Sequence, residues 1–208
     1  MNRRSLILSI ALVPALLGAP AALAQDERIS LSELSRYFNS FEVAEAEFTQ
    51  VNPDESISTG QLMIHRPGRV RFEYDPPEEN LVLASGGSVN IFDARSNQGP
   101  TVYPLRRTPL NLILAEEVDL SRERMVVDHR AEGPTTIVVA QDPENPDYGT
   151  IELVFSADPI ELRQWIVTDD MGRETTVILG DLELGGSLSS TLFSVDIEMQ
   201  RRGLRSGQ

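Results

Sequence analysis

From Val43 onward the chain alternates between apolar and polar residues in bursts of five to nine, each cut off by a turn-forming cluster. Side chains of an extended strand point to opposite faces in turn, so a period of two calls for strands, and many short ones call for an antiparallel sheet. The burst at Arg69 to Asp75 is the clearest: Val70, Phe72 and Tyr74 fall on one side, Arg69, Arg71 and Glu73 on the other. One face wants an apolar surrounding and the other wants water. The apolar face fits either the core of a half-buried sheet or the wall of a cavity, and alternation alone does not separate them.

In the first half the strands read as Val43 to Val51, Ile57 to His65, Arg69 to Asp75, Asn80 to Ser85 and Ser88 to Ala94, and Thr101 to Leu105 follows. Asn52-Pro53-Asp54, Pro67-Gly68, Pro76-Pro77 and Gly86-Gly87 separate the first five. The second half continues with Arg124 to His129, Thr135 to Gln141, Thr150 to Ala157, Ile160 to Thr168, Glu174 to Leu182 and a closing strand at Leu192 to Ile197. A sheet this large must curl, close or be covered to hide its apolar face. Two helices are available. Ser30-Leu31-Ser32-Glu33 has capping-box spacing, with Leu31, Leu34, Phe38 and Phe41 on one stripe, and Thr108 caps a second helix with Pro109 at its first position and Leu110, Leu112, Ile113, Leu114 and Ala115 behind it. That second helix is apolar on several sides, which suits either plain burial or a lid over an apolar cavity. The expected class is mostly β (α+β), a large curved antiparallel sheet with helices over it.

The first 24 residues read as a leader. Arg3 and Arg4 form a basic start, Leu6 to Leu17 an apolar run short for a membrane span, and Ala22-Leu23-Ala24 a small-residue cleavage site. Export to a bacterial periplasm is the expectation. Cysteine is absent, which excludes disulfides, thiolate metal sites, a cysteine nucleophile and a lipidated cysteine on this chain. Residues 25–200 then form one domain, and 201–208 a basic tail expected to fray. Without the leader, sixteen arginines and no lysine face 32 acidic residues, a net charge of −16. Such a surface repels phosphate backbones and anionic headgroups, so nucleic acid is not an expected partner.

No catalytic motif stands out. The chain has no Gly-x-Ser-x-Gly elbow, no His-Glu-x-x-His, no phosphate loop and no dinucleotide fingerprint. His65 and His129 are isolated on strand-like segments and lack ligand spacing, and Asp142, Glu144 and Asp147 lack the pattern of a calcium loop. Trp165, between Leu162 and Val167, reads as a core or cavity residue. Paired carboxylates brought together from distant strands stay open as an enzymatic alternative, but the expectation is a protein that is no enzyme and holds no cofactor or metal.

Several motifs in this order resemble the LolA family of periplasmic lipoprotein carriers. They are Phe48-x-Gln50; Gly60-x-Leu62-x-Ile64-x-Arg66-Pro67-Gly68-x-Val70-x-Phe72-x-Tyr74 ahead of Pro76; Leu81-Val82-Leu83 with Gly86 and Val89-x-Ile91-x-Asp93; and Leu162-x-x-Trp165-x-Val167-x-Asp169-x-x-Gly172. The resemblance implies an incomplete β-barrel whose apolar concave face is closed by a lid of two to three helices, with the acyl chains of a lipoprotein held between. It implies an inner-membrane ABC transporter as donor, an outer-membrane acceptor and a monomeric carrier. Arg66 matches the arginine that latches the lid by bonding its backbone. The expected cavity wall is Leu62, Ile64, Val70, Phe72, Tyr74, Leu81, Leu83, Ile91 and Trp165, and the expected lid contacts are Leu34, Phe38, Leu110, Ile113 and Leu114. Ser85-Gly86 and Asn90 depart from the family's usual residues. A related lipid binder or an envelope-stress regulator on the same half-barrel is the alternative the resemblance leaves open.

Overall fold

A computed structural model describes residues 28–204 apart from Pro109 and Glu123. The leader placed at 1–24, the helix-initiating Pro109 and the end of the basic tail therefore lie outside the described residues.

Helix α1 (Leu31–Asn39) starts as its capping box prescribes. Ser30 Oγ accepts from the Glu33 amide at 3.2 Å and Glu33 Oε2 accepts from the Ser30 amide at 3.1 Å, which satisfies two donors a helix start otherwise leaves bare. Its stripe of Leu34 and Phe38 is buried. There follow β1 (Val43–Val51), β2 (Ile57–His65), β3 (Arg69–Tyr74), β4 (Leu81–Ser85), β5 (Ser88–Phe92) and β6 (Thr101–Pro104). A short helix α2 (Leu110–Leu114) leads to β7 (Val126–Glu132), β8 (Thr135–Gln141), β9 (Thr150–Ala157), β10 (Ile160–Thr168), β11 (Glu174–Leu179) and β12 (Glu183–Leu184), and α3 (Val195–Arg201) comes last.

All twelve strands belong to one antiparallel sheet, ordered β6-β5-β4-β3-β2-β1-β11-β10-β9-β8-β7, with β12 paired to the start of β1. The sheet does not close, because β6 and β7 stand at opposite ends of that order. Proline accounts for part of this at β6. The Leu105 amide bonds Gly87 O at 2.9 Å, so by antiparallel alternation Thr101 and Tyr103 turn their amides to β5. Val102 is left as the outward donor, since Pro104 has none. An edge with one donor is a poor template for further pairing.

The sheet is buried along its inner face and, around β4 and β5, on its outer face as well. The inner face packs against α1, α2 and the chain from Leu112 to Leu120 in the main core. On the outer face Leu81, Leu83 and Phe92 meet Phe193 and Met199 of the C-terminal segment in a second, smaller core. The closing strand expected at Leu192 to Ile197 is instead a 3-10 turn, Ser190–Phe193, running into α3. Ser194 Oγ accepts from the Ile197 amide at 3.3 Å, and Asp196 and Glu198 occupy the first turn, so capping and the helix dipole prevail over a weak alternation. This strap also overturns the expectation of a wet face on β3. Arg71 is 4% exposed, lying 3.4 Å from Glu198, 2.8 Å from Glu73 and 3.1 Å from Leu192 O. α3 runs through Arg201, Arg202 pairs with Glu198 at 2.8 Å over the Phe92 ring, and Leu204 packs on the second core.

Gly60 on β2 is forced by packing. A Cβ there would sit 2.2 Å from Glu73 O and 2.8 Å from the Phe48 ring, and neither the β3 backbone nor a fully packed ring can yield that much. Gly60→Ala is expected to lower stability by about 1–3 kcal/mol, the range for overpacking. Chemical denaturation measures it; an unchanged midpoint would mean the strands part there freely.

Candidate functional site

A cleft of about 320 Å³ lies between the inner face of the sheet and the lid segment. Its lining residues are Gln50, Phe72, Tyr74, Val82, Ile91, Leu110, Ile151, Trp165, Val167, Thr175 and Val177. They come from seven strands and from α2, so the cleft exists only once the sheet has curled. Ile91 is 37% exposed, which places it where the cleft meets solvent. The floor is aromatic: Phe72 stands edge-on to Phe48 at 5.6 Å and to Trp165 at 5.8 Å between ring centroids. Edge-to-face packing fixes these rings, and apart from the Trp165 indole N–H the floor presents carbon to whatever enters.

Away from the cleft, Arg66 ties the helical segments to the sheet. Its guanidinium, 4% exposed, sits where the C-termini of the two lid helices converge. Nη1 donates to Phe38 O and, at 3.1 Å, to Phe41 O. Nη2 donates to Ala115 O at 2.8 Å, Asn39 Oδ1 at 3.1 Å and Glu116 O at 3.3 Å, and Nε to Ala115 O at 3.1 Å. Helix C-termini leave carbonyls unpaired and carry the negative end of the dipole, so one planar cation answers both helices at once. No acidic side chain among the described residues lies within ion-pair distance of it. Burial pulls its pKa below the usual guanidinium value, with Glu42 opposing, yet a guanidinium stays charged in proteins.

Further bonds tie the lid together around this point. Gly68, held at φ 71 in the turn after Pro67, points its amide to Leu114 O at 2.8 Å. Asn39 donates to Val118 O at 2.8 Å and accepts from the Val118 amide at 2.9 Å, while Ser35 Oγ accepts from the Leu120 amide at 2.9 Å. Beneath these bonds Leu112, Ile113, Leu114, Val118 and Leu120 are buried against the sheet.

The expected site residues divide into three groups. Phe72, Tyr74, Ile91, Trp165 and Leu110 line the cleft. Leu62, Ile64 and Val70, with Leu34, Phe38, Ile113 and Leu114, lie in the core between sheet and lid, where they would meet a passenger only if the lid moved. Leu81 and Leu83 are a correction: they face away from the cleft into the core under the C-terminal strap, and their neighbour Val82 lines the cleft instead. His129 Nε2 bonds Ile29 O at 2.8 Å, and His65 stands against Phe193 on the outer face, so neither histidine reaches the cleft.

The profile of the family described as "Outer membrane lipoprotein carrier protein LolA" matches residues 39–196. The chain belongs to the LolA family. An outer-membrane lipoprotein carrier protein of Pseudomonas aeruginosa is 26% identical over 192 residues, covering 87% of this chain and 89% of that one. One from Coxiella burnetii is 24% identical over 171 residues, covering 78% and 80%. Among solved structures, a LolA superfamily protein from Nitrosomonas europaea covers 81% of this chain and 99% of its own, at 10% identity and a TM-score of 0.45.

Within this LolA-family chain, sequence reasoning missed Gln50, Val82, Ile151, Val167, Thr175 and Val177 as cleft residues, and Asn39 as a second tie of the lid. Val167 and Val177 were within reach of a sequence argument. Each keeps the parity of its strand with Trp165 or Leu179, so once Trp165 is assigned to the inner face these follow.

Proposed function

We propose that this chain is a periplasmic carrier of lipoproteins, taking them by their acyl chains from an inner-membrane ABC transporter and shuttling them towards an outer-membrane acceptor. Membership of the LolA family and relatives named lipoprotein carriers support this reading. The observation that carries it is the apolar cleft continuous with a lid that one buried arginine holds shut. No described helix is long and apolar enough to cross a membrane, in keeping with a carrier that travels between two.

The energetics of such a carrier follow from what the lid buries. Each acyl methylene removed from water contributes ~0.8 kcal/mol, and each large apolar side chain ~1.5–3 kcal/mol. When a passenger enters, lid side chains such as Leu112 and Leu114 leave the sheet and acyl methylenes take their place. Apolar contact replaces apolar contact, so the exchange is near balance, and the Arg66 bonds tip it towards the empty, closed form. That competition lets a cavity with high gross affinity release its load.

Mass spectrometry of protein extracted gently from the periplasm tests the reading. Co-purifying acylated polypeptide is the expected result. Free phospholipid or glycolipid alone would make the chain a general lipid binder, and an apolar cleft consistently empty of acyl groups would sink the carrier reading.

A further inference from the structure

Polar groups in an apolar cleft are costly unless paired, so the few present here call for an account. Besides the indole N–H of Trp165, the lining side chains that carry a polar atom are Gln50, Tyr74 and Thr175. Gln50 and Tyr74 are brought together by the packing at Gly60. Tyr74 lies opposite Gly60 in the β2–β3 register, and Gly60 lies opposite Phe48 on β1. Because Gly60 has no side chain, the Tyr74 ring can lean across β2 to meet Phe48 edge-on at 5.1 Å and place its hydroxyl at the next inward position of β1. There the hydroxyl donates to Gln50 Oε1 at 2.7 Å. Gln50 Nε2 donates in turn to Asn52 Oδ1 at 2.6 Å, and Asn52 Nδ2 to Ser56 Oγ and Ser58 Oγ, both at 3.0 Å. Burial pushes the Tyr74 phenol up to about 12, so it stays a neutral donor at any physiological pH.

This chain of bonds holds Gln50 rigid while leaving it capacity. An amide nitrogen has two protons, and among the described residues one is used; the Thr175 hydroxyl, on the neighbouring strand β11, has no partner there. Two neutral donors thus sit on one wall of a cleft whose other lining side chains are carbon apart from the Tyr74 hydroxyl and the Trp165 indole N–H, with no charge beside them. A phosphate or a carboxylate would find no cation there. An aliphatic chain alone would find nothing to accept.

The geometry points to a subsite for the acyl carbonyl, in which Gln50, positioned by Tyr74, and Thr175 bond the ester or amide oxygen at the head of a fatty chain whose methylenes lie on Phe72 and Trp165. This rests on the carrier reading and adds to it a depth gauge: the chain enters until its carbonyl meets Gln50. The same carbonyl occurs in an acylated protein and in a free diacyl lipid.

Paired ligands identical but for that oxygen test it. Binding of a synthetic diacylglyceryl lipopeptide is compared with its dialkyl ether analogue, and a diacyl phospholipid with its ether analogue, by displacement of a fluorescent fatty-acid probe. The wild-type chain is expected to favour ester over ether by about fivefold, the worth of one neutral hydrogen bond. Whichever series shows the preference names the source of the carbonyl. Gln50→Leu should abolish the preference and Tyr74→Phe should weaken it, each measured as a ratio within one variant, so that a general loss of stability cancels. Equal binding of ester and ether by the wild type overturns the subsite while leaving the carrier intact. Binding of neither lipopeptide overturns both.

Discussion

Arg66→Leu is expected to leave the sheet folded and the lid unlatched. The substitution removes every donor to the carbonyls of Phe38, Phe41, Ala115 and Glu116 and leaves Asn39 with one partner fewer. Buried acceptors without donors cost about 1–3 kcal/mol each, but the lid can lift and let water reach them, so the loss falls on the closed form. A loss of about 3 kcal/mol shifts the closed-to-open balance more than a hundredfold. Since the closed form is what competes with the passenger, apparent affinity should rise and release should slow. Loading would be preserved and delivery impaired. Hydrogen exchange across residues 110–120 and the off-rate of an acyl probe measure the two halves, with circular dichroism as the check on the sheet. Unaltered exchange in the lid, or normal onward transfer of lipoprotein by the variant, would remove Arg66 from the role of latch. Arg66→Lys should fall between, because an ammonium offers three donors where the guanidinium offers five in a planar fork.

The second large effect is expected from Phe72→Glu. Phe72 is 6% exposed between Phe48 and Trp165, with no cation among its ring neighbours, so a carboxylate there is desolvated and unpaired. Burial disfavours the charged form and raises the folded-state pKa above the ordinary ~4.3 of glutamate. A raised acid pKa costs nothing while the group is protonated in both states, at pH below the unfolded value. The cost then grows as pH climbs through the interval between the two values and is complete above the folded one. The pH-dependent part of the loss should therefore be small near pH 4, where the missing ring packing remains, and reach on the order of 3 kcal/mol or more at pH 7, with acyl binding falling in parallel. Thermal melts and probe binding across that range test both. A stability difference from wild type independent of pH would mean the side chain escapes to water and that position 72 does not floor the cleft.

What the sequence disclosed and what it hid divide along one physical line. Strand positions, the capping box at Ser30 and the place of the interrupting helix at Leu110 are local matters, and local patterns report them. Which face a residue takes is local only when the other face is wet. On β4 both faces are covered, so Leu81, Val82 and Leu83 are all apolar and alternation carries no direction; the strap that covers the outer face starts more than a hundred residues later. The same strap hides Arg71, a charge that any pattern rule would send to solvent. Arg66 was legible through family likeness, but its geometry was not, because its partners come from Phe38, Phe41, Ala115 and Glu116, on segments far from it in the chain. The expected strand Glu174 to Leu182 ends at Leu179 as β11, with β12 following separately at Glu183–Leu184, and this had a signal in Gly180 and Asp181, two poor strand formers in succession.

A closed barrel has its radius dictated by strand number and stagger. In this sheet nothing of the kind applies, since β6 and β7 are not paired and the chain that joins them is the lid segment. The two halves can spread without breaking a single rung of the ladder. The bore is therefore elastic, and the girth of a passenger is limited by how far the lid can travel rather than by any ring of fixed circumference.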